Sequence, residues 1–146
     1  MLDVTYEAVD DLPPGRLAEI DEDRGEIRVR LDAAAPLADV VRQLNTEIRN
    51  LMASAHWYQL WGDEIVSQDT PGRPLGIEYL LEMKVPRSSW VEERRGLVSV
   101  FIDPGLDTEG FAASMNPATK KFLAGGCWFQ LYAGEIIDNS PEPNKV

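Results

Sequence analysis

The chain has 146 residues, and its 25 acidic and 14 basic side chains give a formal net charge of −11. That balance argues against a nucleic-acid-binding protein and against docking on an anionic membrane, because both need a basic face. The lone Cys127 excludes a disulfide within the chain and a cysteine-based zinc site. Its uncharged runs are too short for a membrane helix, and its acidic N-terminus is unlike a signal peptide, so a soluble, cytoplasmic protein is expected.

The first predicted elements are two strands joined by a turn. Arg16–Asp21 and Glu26–Asp32 alternate polar and apolar residues around a turn at 22–25 that ends in glycine. A helix over 37–55 follows, because its apolar residues recur at intervals of three and four and fall on one stripe. Strands Trp57–Trp61 and Glu64–Gln68 then flank Gly62-Asp63, which is typical of a tight hairpin. The segment 69–76, with two prolines and two glycines, predicts a linker.

The same pattern recurs 71 residues further on, aligned without a gap. Residues 57–66 lie over 128–137 with five identities in ten pairs, and 6–75 over 77–146 gives fourteen identities. The strands predicted for this second copy are Ser89–Glu92, Leu97–Asp103, Phe129–Tyr132 and Glu135–Asp138. Its helix differs, because Pro117 predicts a break after Thr108–Met115 and a separate turn from Pro117 to Leu123, before Gly125-Gly126.

The predicted fold is therefore α+β, with two ββαββ units at 1–75 and 76–146 packed as a pseudo-twofold intramolecular dimer with antiparallel sheet and two helices. A unit of about 70 residues would be marginal alone because it buries too little of its surface, so the two copies are expected to share one core. The first copy holds 15 acidic and 7 basic residues, and the second holds 10 and 7. We interpret this divergence as a role that only one copy retains.

Motifs that carry common chemistry are absent from the sequence. It contains no phosphate-binding glycine loop, no HExxH and no GxSxG. A single histidine, His56, cannot supply a two-histidine metal site. We therefore expect no cofactor and no metal, and an enzyme is not the favoured interpretation.

The repeated aromatic hairpin is the first candidate site. A strand places alternate residues on one face. This groups Trp57, Gln59 and Trp61 in the first copy and Trp128, Gln130 and Tyr132 in the second. Large aromatics dominate binding hot spots, so this face is a candidate recognition surface; burial in the core is the alternative.

The repeated carboxylates Glu64 and Glu135 are the second candidate. Each opens the outer strand of its hairpin. If the pseudo-twofold axis brought them together, they would form a coupled acid pair in a ligand pocket; otherwise each is a solvated residue beside a turn. Asp32 and Asp103 are predicted to be turn or capping residues.

Asn45 and Asn116, which correspond in the two copies, lie inside helical patterns. Asparagine lowers helix propensity there, so a buried amide contact between the copies is predicted to compensate.

Three functions follow from these features. The leading hypothesis is a non-enzymatic protein-binding or regulatory module that uses the aromatic hairpins, from a bacterial or phage source. The expected partner is another protein, with a homodimer as an alternative, and no direct contact with nucleic acid or membrane. The second hypothesis is a small enzyme or ligand carrier with a pocket at the pseudo-twofold interface around Glu64 and Glu135. The third is an acidic DNA mimic that occupies the basic groove of a DNA-binding protein.

Overall fold

In the computed structural model of the chain, the residues that are described form ten strands and two helices. The structure describes the backbone at 3–23, 26–54, 56–61, 64–67, 76–94, 96–124, 127–132 and 135–138, and the side chains of those residues within 3–53 and 76–124. In chain order the elements are β1 (Asp3–Val9), β2 (Ala18–Asp23), β3 (Glu26–Asp32), α1 (Leu37–Ser54), β4 (His56–Trp61), β5 (Glu64–Ser67), β6 (Gly76–Leu80), β7 (Ser89–Arg94), β8 (Leu97–Ile102), α2 (Thr108–Ala124), β9 (Cys127–Tyr132) and β10 (Glu135–Asp138).

Two three-stranded mixed sheets form the body of the fold. Their strand orders are β1-β3-β2 and β6-β8-β7. In each sheet the middle strand pairs in parallel with the first strand and antiparallel with the second. The predicted ββαββ pattern is therefore incomplete, since a further strand, β1 or β6, precedes it and adds a parallel pair to the predicted antiparallel pairs. β1 and β6 were missed because each pairs in parallel with a strand that is not its neighbour in the chain, so no hairpin pattern marks the pairing.

The four strands after the helices form a third, antiparallel sheet. Its order is β10-β9-β4-β5, so the two predicted hairpins are confirmed and join each other through their first strands. The turn residues of both hairpins, the predicted linker up to residue 75, the turn at 24–25 and the segment 139–146 lie outside the described residues.

Each helix packs against strands from both halves of the chain. Helix α1 contacts β2 and also β6, while α2 contacts β7 and also β1. The fully buried side chains come from both halves, and the largest are Phe111, Leu31, Leu44, Ile102 and Met115. These side chains belong to one hydrophobic cluster.

Helix α2 is continuous, and the predicted break at Pro117 is wrong. Met115 and Thr119 are both buried on either side of the proline, whereas Pro117 itself is exposed. Packing therefore keeps both ends of the helix in line, although proline removes one backbone hydrogen bond. The helix N-terminus is capped by Asp107, whose Oδ1 accepts a hydrogen bond from Gly110 N at 2.7 Å.

The order β-β-β-α-β-β occurs twice, which is compatible with two similar units. The strand register gives a correction to the gapless alignment. Tyr6 pairs with Val29 and Tyr79 pairs with Val100. Val29 and Val100 are 71 residues apart, whereas Tyr6 and Tyr79 are 73 apart. The segment from Tyr6 to Val29 is therefore two residues longer than the segment from Tyr79 to Val100. For this reason an alignment without a gap does not place Tyr6 over Tyr79.

Candidate functional site

The backbone pairing of β4 with β9 places the predicted hairpin residues. Tyr58 pairs with Phe129 at the centre of the ladder. On one side of that pair Trp57 is opposite Gln130, and on the other side Gln59 is opposite Trp128. Trp61 and Tyr132 are at the far ends of the two strands, opposite Glu64 and Glu135 respectively. The side chains of all these residues lie outside the described part of the chain.

The topology does not bring Glu64 and Glu135 together. They lie on β5 and β10, which occupy opposite edges of the four-stranded sheet. Neighbouring strands are about 4.8 Å apart, so three strand spacings separate the two backbones by roughly 14 Å across the sheet alone. The paired-carboxylate hypothesis loses its geometric basis, although each glutamate remains a position at a hairpin turn.

An exposed apolar face lies on the β6-β8-β7 sheet and was not predicted. Trp90 on β7 pairs with Phe101 on β8. Both point away from the core, because the adjacent Val91 and Val100 face it. The large exposed apolar side chains among the described residues are Trp90 and Leu97 on this sheet and Leu81, Met83 and Val85 between β6 and β7, with Met83 54% and Trp90 42% exposed. We call these five residues and Phe101 the apolar face.

The corresponding face of the β1-β3-β2 sheet is charged. In the same register positions as the Trp90–Phe101 pair, this sheet has Glu19 paired with Arg30. Where Gly76 pairs with Leu97, it has Asp3 paired with Glu26. The two units thus share a backbone arrangement and differ in what they present outward. A comparison of the two halves at an offset of 71 residues gives this signal in the sequence alone, since it places Trp90 over Glu19 and Leu97 over Glu26.

The apolar face is held in place by polar contacts. Glu92 Oε1 accepts a hydrogen bond from Trp90 Nε1 at 3.1 Å and from Lys84 Nζ at 3.3 Å. Lys84 Nζ also lies 4.5 Å from the centroid of the Phe101 ring, within cation–π range. The Trp90 indole and the Lys84 ammonium group both bind the Glu92 carboxylate. These contacts restrict the two side chains in advance, so less side-chain conformational entropy is lost when a partner binds.

The charges around the apolar face balance. The exposed charged side chains between 78 and 94 are Glu78, Glu82, Glu92, Lys84, Arg87 and Arg94. Three are acidic and three are basic, in a protein with a net charge of −11. An acidic partner would meet less repulsion here than on the charged sheet of the first unit.

Two asparagines join the halves, as predicted. Asn45 Nδ2 donates to Tyr79 O at 3.0 Å, and its Oδ1 accepts from Tyr79 N at 2.8 Å. Asn116 makes the same two contacts with Tyr6, at 3.0 and 2.7 Å. Asn45 is half-buried and Asn116 is exposed, so these amides are less buried than predicted. The predicted turn roles of the aspartates are also confirmed, because Asp32 and Asp103 each accept a backbone N–H two residues ahead.

The two tyrosines meet between the halves. Their hydroxyl oxygens are 2.6 Å apart, and both rings make edge contacts with Phe111. Burial raises the pKa of Tyr6 to about 12, with the hydroxyls of Tyr79 and Thr119 acting in the opposite direction. Burial likewise raises the pKa of Tyr79. Both hydroxyls therefore remain protonated hydrogen-bond donors across the physiological range.

Among the described residues, no group of three or more histidine, cysteine, aspartate or glutamate side chains is placed to hold a metal ion. No helix in that part of the chain is both long and apolar enough to cross a membrane.

Comparison with models of protein families, with curated proteins and with solved structures finds no match to this chain.

Proposed function

We propose that the chain is a protein-binding module whose contact surface is the apolar face of the β6-β8-β7 sheet. The observation that supports it is the contrast between two equivalent sheets. One presents the Glu19–Arg30 pair, and the other presents Trp90 and Phe101 at the same register positions. Folding requires no exposed tryptophan there, since the first unit forms the same sheet without one. Exposed apolar clusters are typical of interaction sites, and tryptophan is enriched among binding hot spots.

The partner expected is a protein with an apolar contact area rather than a polyanion or a basic groove. The apolar face lacks the excess positive charge that nucleic acid requires. Its balanced charges also favour burial of Trp90 and Met83 over long-range electrostatic steering. A second copy of the chain carries the same apolar surface and is the alternative partner. The experiment must distinguish it from a different protein.

The test replaces the apolar pair with the pair found on the other sheet. The double substitution Trp90→Glu/Phe101→Arg reproduces the Glu19–Arg30 arrangement, so the fold is expected to persist. Glu19→Gln/Arg30→Gln is the matched control. A partner captured from cells, purified and added back should bind the wild type and the control but not the Trp90→Glu/Phe101→Arg variant. Equal binding to that variant contradicts the proposal. Sedimentation velocity on the chain alone identifies a second copy as the occupant if self-association is lost in the same variant.

The four-stranded sheet is a second candidate surface. The β4–β9 register supports this surface, because two tryptophan–glutamine pairs flank the central Tyr58–Phe129 pair. The variant Trp57→Ala/Trp128→Ala should then lose the partner while its circular dichroism remains that of the wild type. Retained binding in that folded variant rules out this surface and leaves the apolar face.

An internal duplication accounts for both surfaces, and we propose it as the origin of the fold. It is supported by the repeated β-β-β-α-β-β order and the matching registers of the two mixed sheets. After such a duplication one outer face can acquire a binding role while the other remains charged. The unit boundaries proposed are 1–75 and 76–146.

A further inference from the structure

A cavity of about 100 Å³ lies between the two halves. Its walls come from both mixed sheets and from both helices, with Val29 and Val100 contributed by the two middle strands and Met115 by α2. Every described side chain that lines it is uncharged, and only those of Tyr6, Tyr79 and Thr119 carry an oxygen atom. The part of the cavity that the described residues line is therefore apolar with one polar corner.

The hydroxyl groups at that corner carry more protons than the hydrogen bond between them requires. In the 2.6 Å hydrogen bond between Tyr6 and Tyr79, one hydroxyl group donates its proton to the other. The proton of the accepting hydroxyl group is not used in that bond. Thr119 Oγ1 is buried and forms no hydrogen bond of standard geometry with the described residues, although its hydroxyl acts on the Tyr6 hydroxyl to lower the pKa of Tyr6. Thr119 is 7% exposed, so solvent does not satisfy it fully. A buried hydroxyl without a partner is costly, and such groups in native structures call for an explanation.

We propose that this cavity binds a small neutral molecule with an apolar body and one oxygen that accepts hydrogen bonds, as in a short-chain or cyclic ketone or ester. The oxygen accepts from Thr119 and from the free tyrosine hydroxyl, and the hydrocarbon part contacts Val29, Val100 and Met115. An ionised ligand is excluded because the described lining has no opposite charge to compensate its desolvation. This site is separate from the apolar face, so it does not depend on the proposed function.

The size of the cavity limits the ligand. An engineered apolar cavity of about 150 Å³ binds benzene, so about 100 Å³ suits a five-membered ring or a chain of similar volume. Ordered water is the competing occupant. A water molecule needs two to four polar partners, which this cavity offers only at the corner formed by the three hydroxyls. Water therefore satisfies the polar corner and leaves the apolar remainder unfilled, whereas the ketone fills both.

The probes are cyclopentanone and cyclopentane, which have nearly the same shape and differ in one acceptor. Each is titrated into the full-length protein and followed by methyl chemical shifts in NMR. Cyclopentanone should give saturable shifts at Val29, Val100 and Met115. Thr119→Val, which keeps the shape and removes the hydroxyl, should weaken cyclopentanone about three- to tenfold, the value of one hydrogen bond, without weakening cyclopentane. Val91→Phe, which fills the cavity from its β7 wall, should abolish binding of both.

Three results overturn the proposal. The first is the absence of saturable shifts at the lining methyl groups. The second is undiminished cyclopentanone binding in Val91→Phe, which places the site elsewhere. The third is equal cyclopentanone affinity in Thr119→Val and wild type. If Thr119→Val does not fold, Thr119→Ala takes its place, since it also removes the Thr119 hydroxyl, and the same loss is expected.

Discussion

At the scale of single residues, the two asparagines act as partners for strand edges. β1 and β6 are the first strands of their sheets, so the N–H and C=O groups on their outer side have no neighbouring strand. Asn45 and Asn116 satisfy these groups, each with one donor and one acceptor contact to a tyrosine of the other half. A side-chain amide has the donor and the acceptor that such a backbone pair needs. This explains why each helix keeps an asparagine in its interior.

The first prediction concerns Asn45. Asn45→Ala should lower the free energy of unfolding by about 2–4 kcal/mol, because it leaves the N–H and the C=O of Tyr79 without partners. Chemical denaturation followed by fluorescence measures the change. Asn50→Ala is the matched control, since Asn50 lies exposed on the same helix. A loss no greater than that of the control contradicts the assigned role.

The second prediction concerns Asp103 and pH. Backbone N–H groups of Gly105 and Arg87 donate to its carboxylate and hold the pKa of Asp103 below its ordinary value. Because the folded-state pKa is lowered, the stabilisation is present above the ordinary aspartate pKa and is lost as pH falls through the lowered value. Asp103→Asn should therefore be less stable than wild type at neutral pH, and the difference should shrink in acid. Thermal melts between pH 7 and 2 measure it, and a pH-independent difference contradicts it.

At the scale of elements, helix α2 tolerates a proline that local rules place at a helix boundary. Its buried side chains Phe111, Met115 and Thr119 lie on both sides of Pro117 and pack against β1 and β7. The two ends are fixed by tertiary contacts, so the missing backbone hydrogen bond does not end the helix. Tertiary packing outweighs propensity here, which is why the sequence pattern predicted a break that does not occur.

Removal of this proline supplies the third prediction. Pro117→Ala should raise the free energy of unfolding by about 1–3 kcal/mol, because it restores a backbone hydrogen bond at an exposed position. Thr46→Ala in α1 is the control for the effect of a β-branched residue at an exposed helix position, and a smaller gain is expected there. Destabilisation by Pro117→Ala would instead show that the proline positions Asn116 against Tyr6.

The elements predicted well from sequence are those marked by a local signal. Strands β7 and β8 flank a turn that ends at Gly96, whose φ of 89° favours glycine. Helix α1 was predicted from its apolar stripe and ends within a residue of its predicted end. β1 and β6 were missed because their pairing is parallel and non-local, so the alternation and tight turn that mark a hairpin are lacking. The asparagine contacts were predicted because a helix-interior asparagine needs a compensating partner.

At the scale of the whole molecule, the candidate site depended on information that local patterns lack. The apolar face is defined by exposure, and strand periodicity alone does not show which side of β7 and β8 faces the core. The Glu64–Glu135 pairing failed for a topological reason, since the hairpins join through β4 and β9 and carry β5 and β10 to opposite edges. The cavity between the halves arises only when both mixed sheets and both helices are assembled.

The surface asymmetry of the assembled molecule leads to the fourth prediction, and photo-crosslinking from two equivalent positions tests it most directly. A photoreactive phenylalanine analogue is placed at position 90 in one variant and at position 19 in another, because these positions occupy the same register in the two sheets. Irradiation in living cells should join the partner to position 90 and not to position 19. Crosslinks of equal yield from both positions, or from position 19 alone, would contradict the assignment of the apolar face as the binding surface.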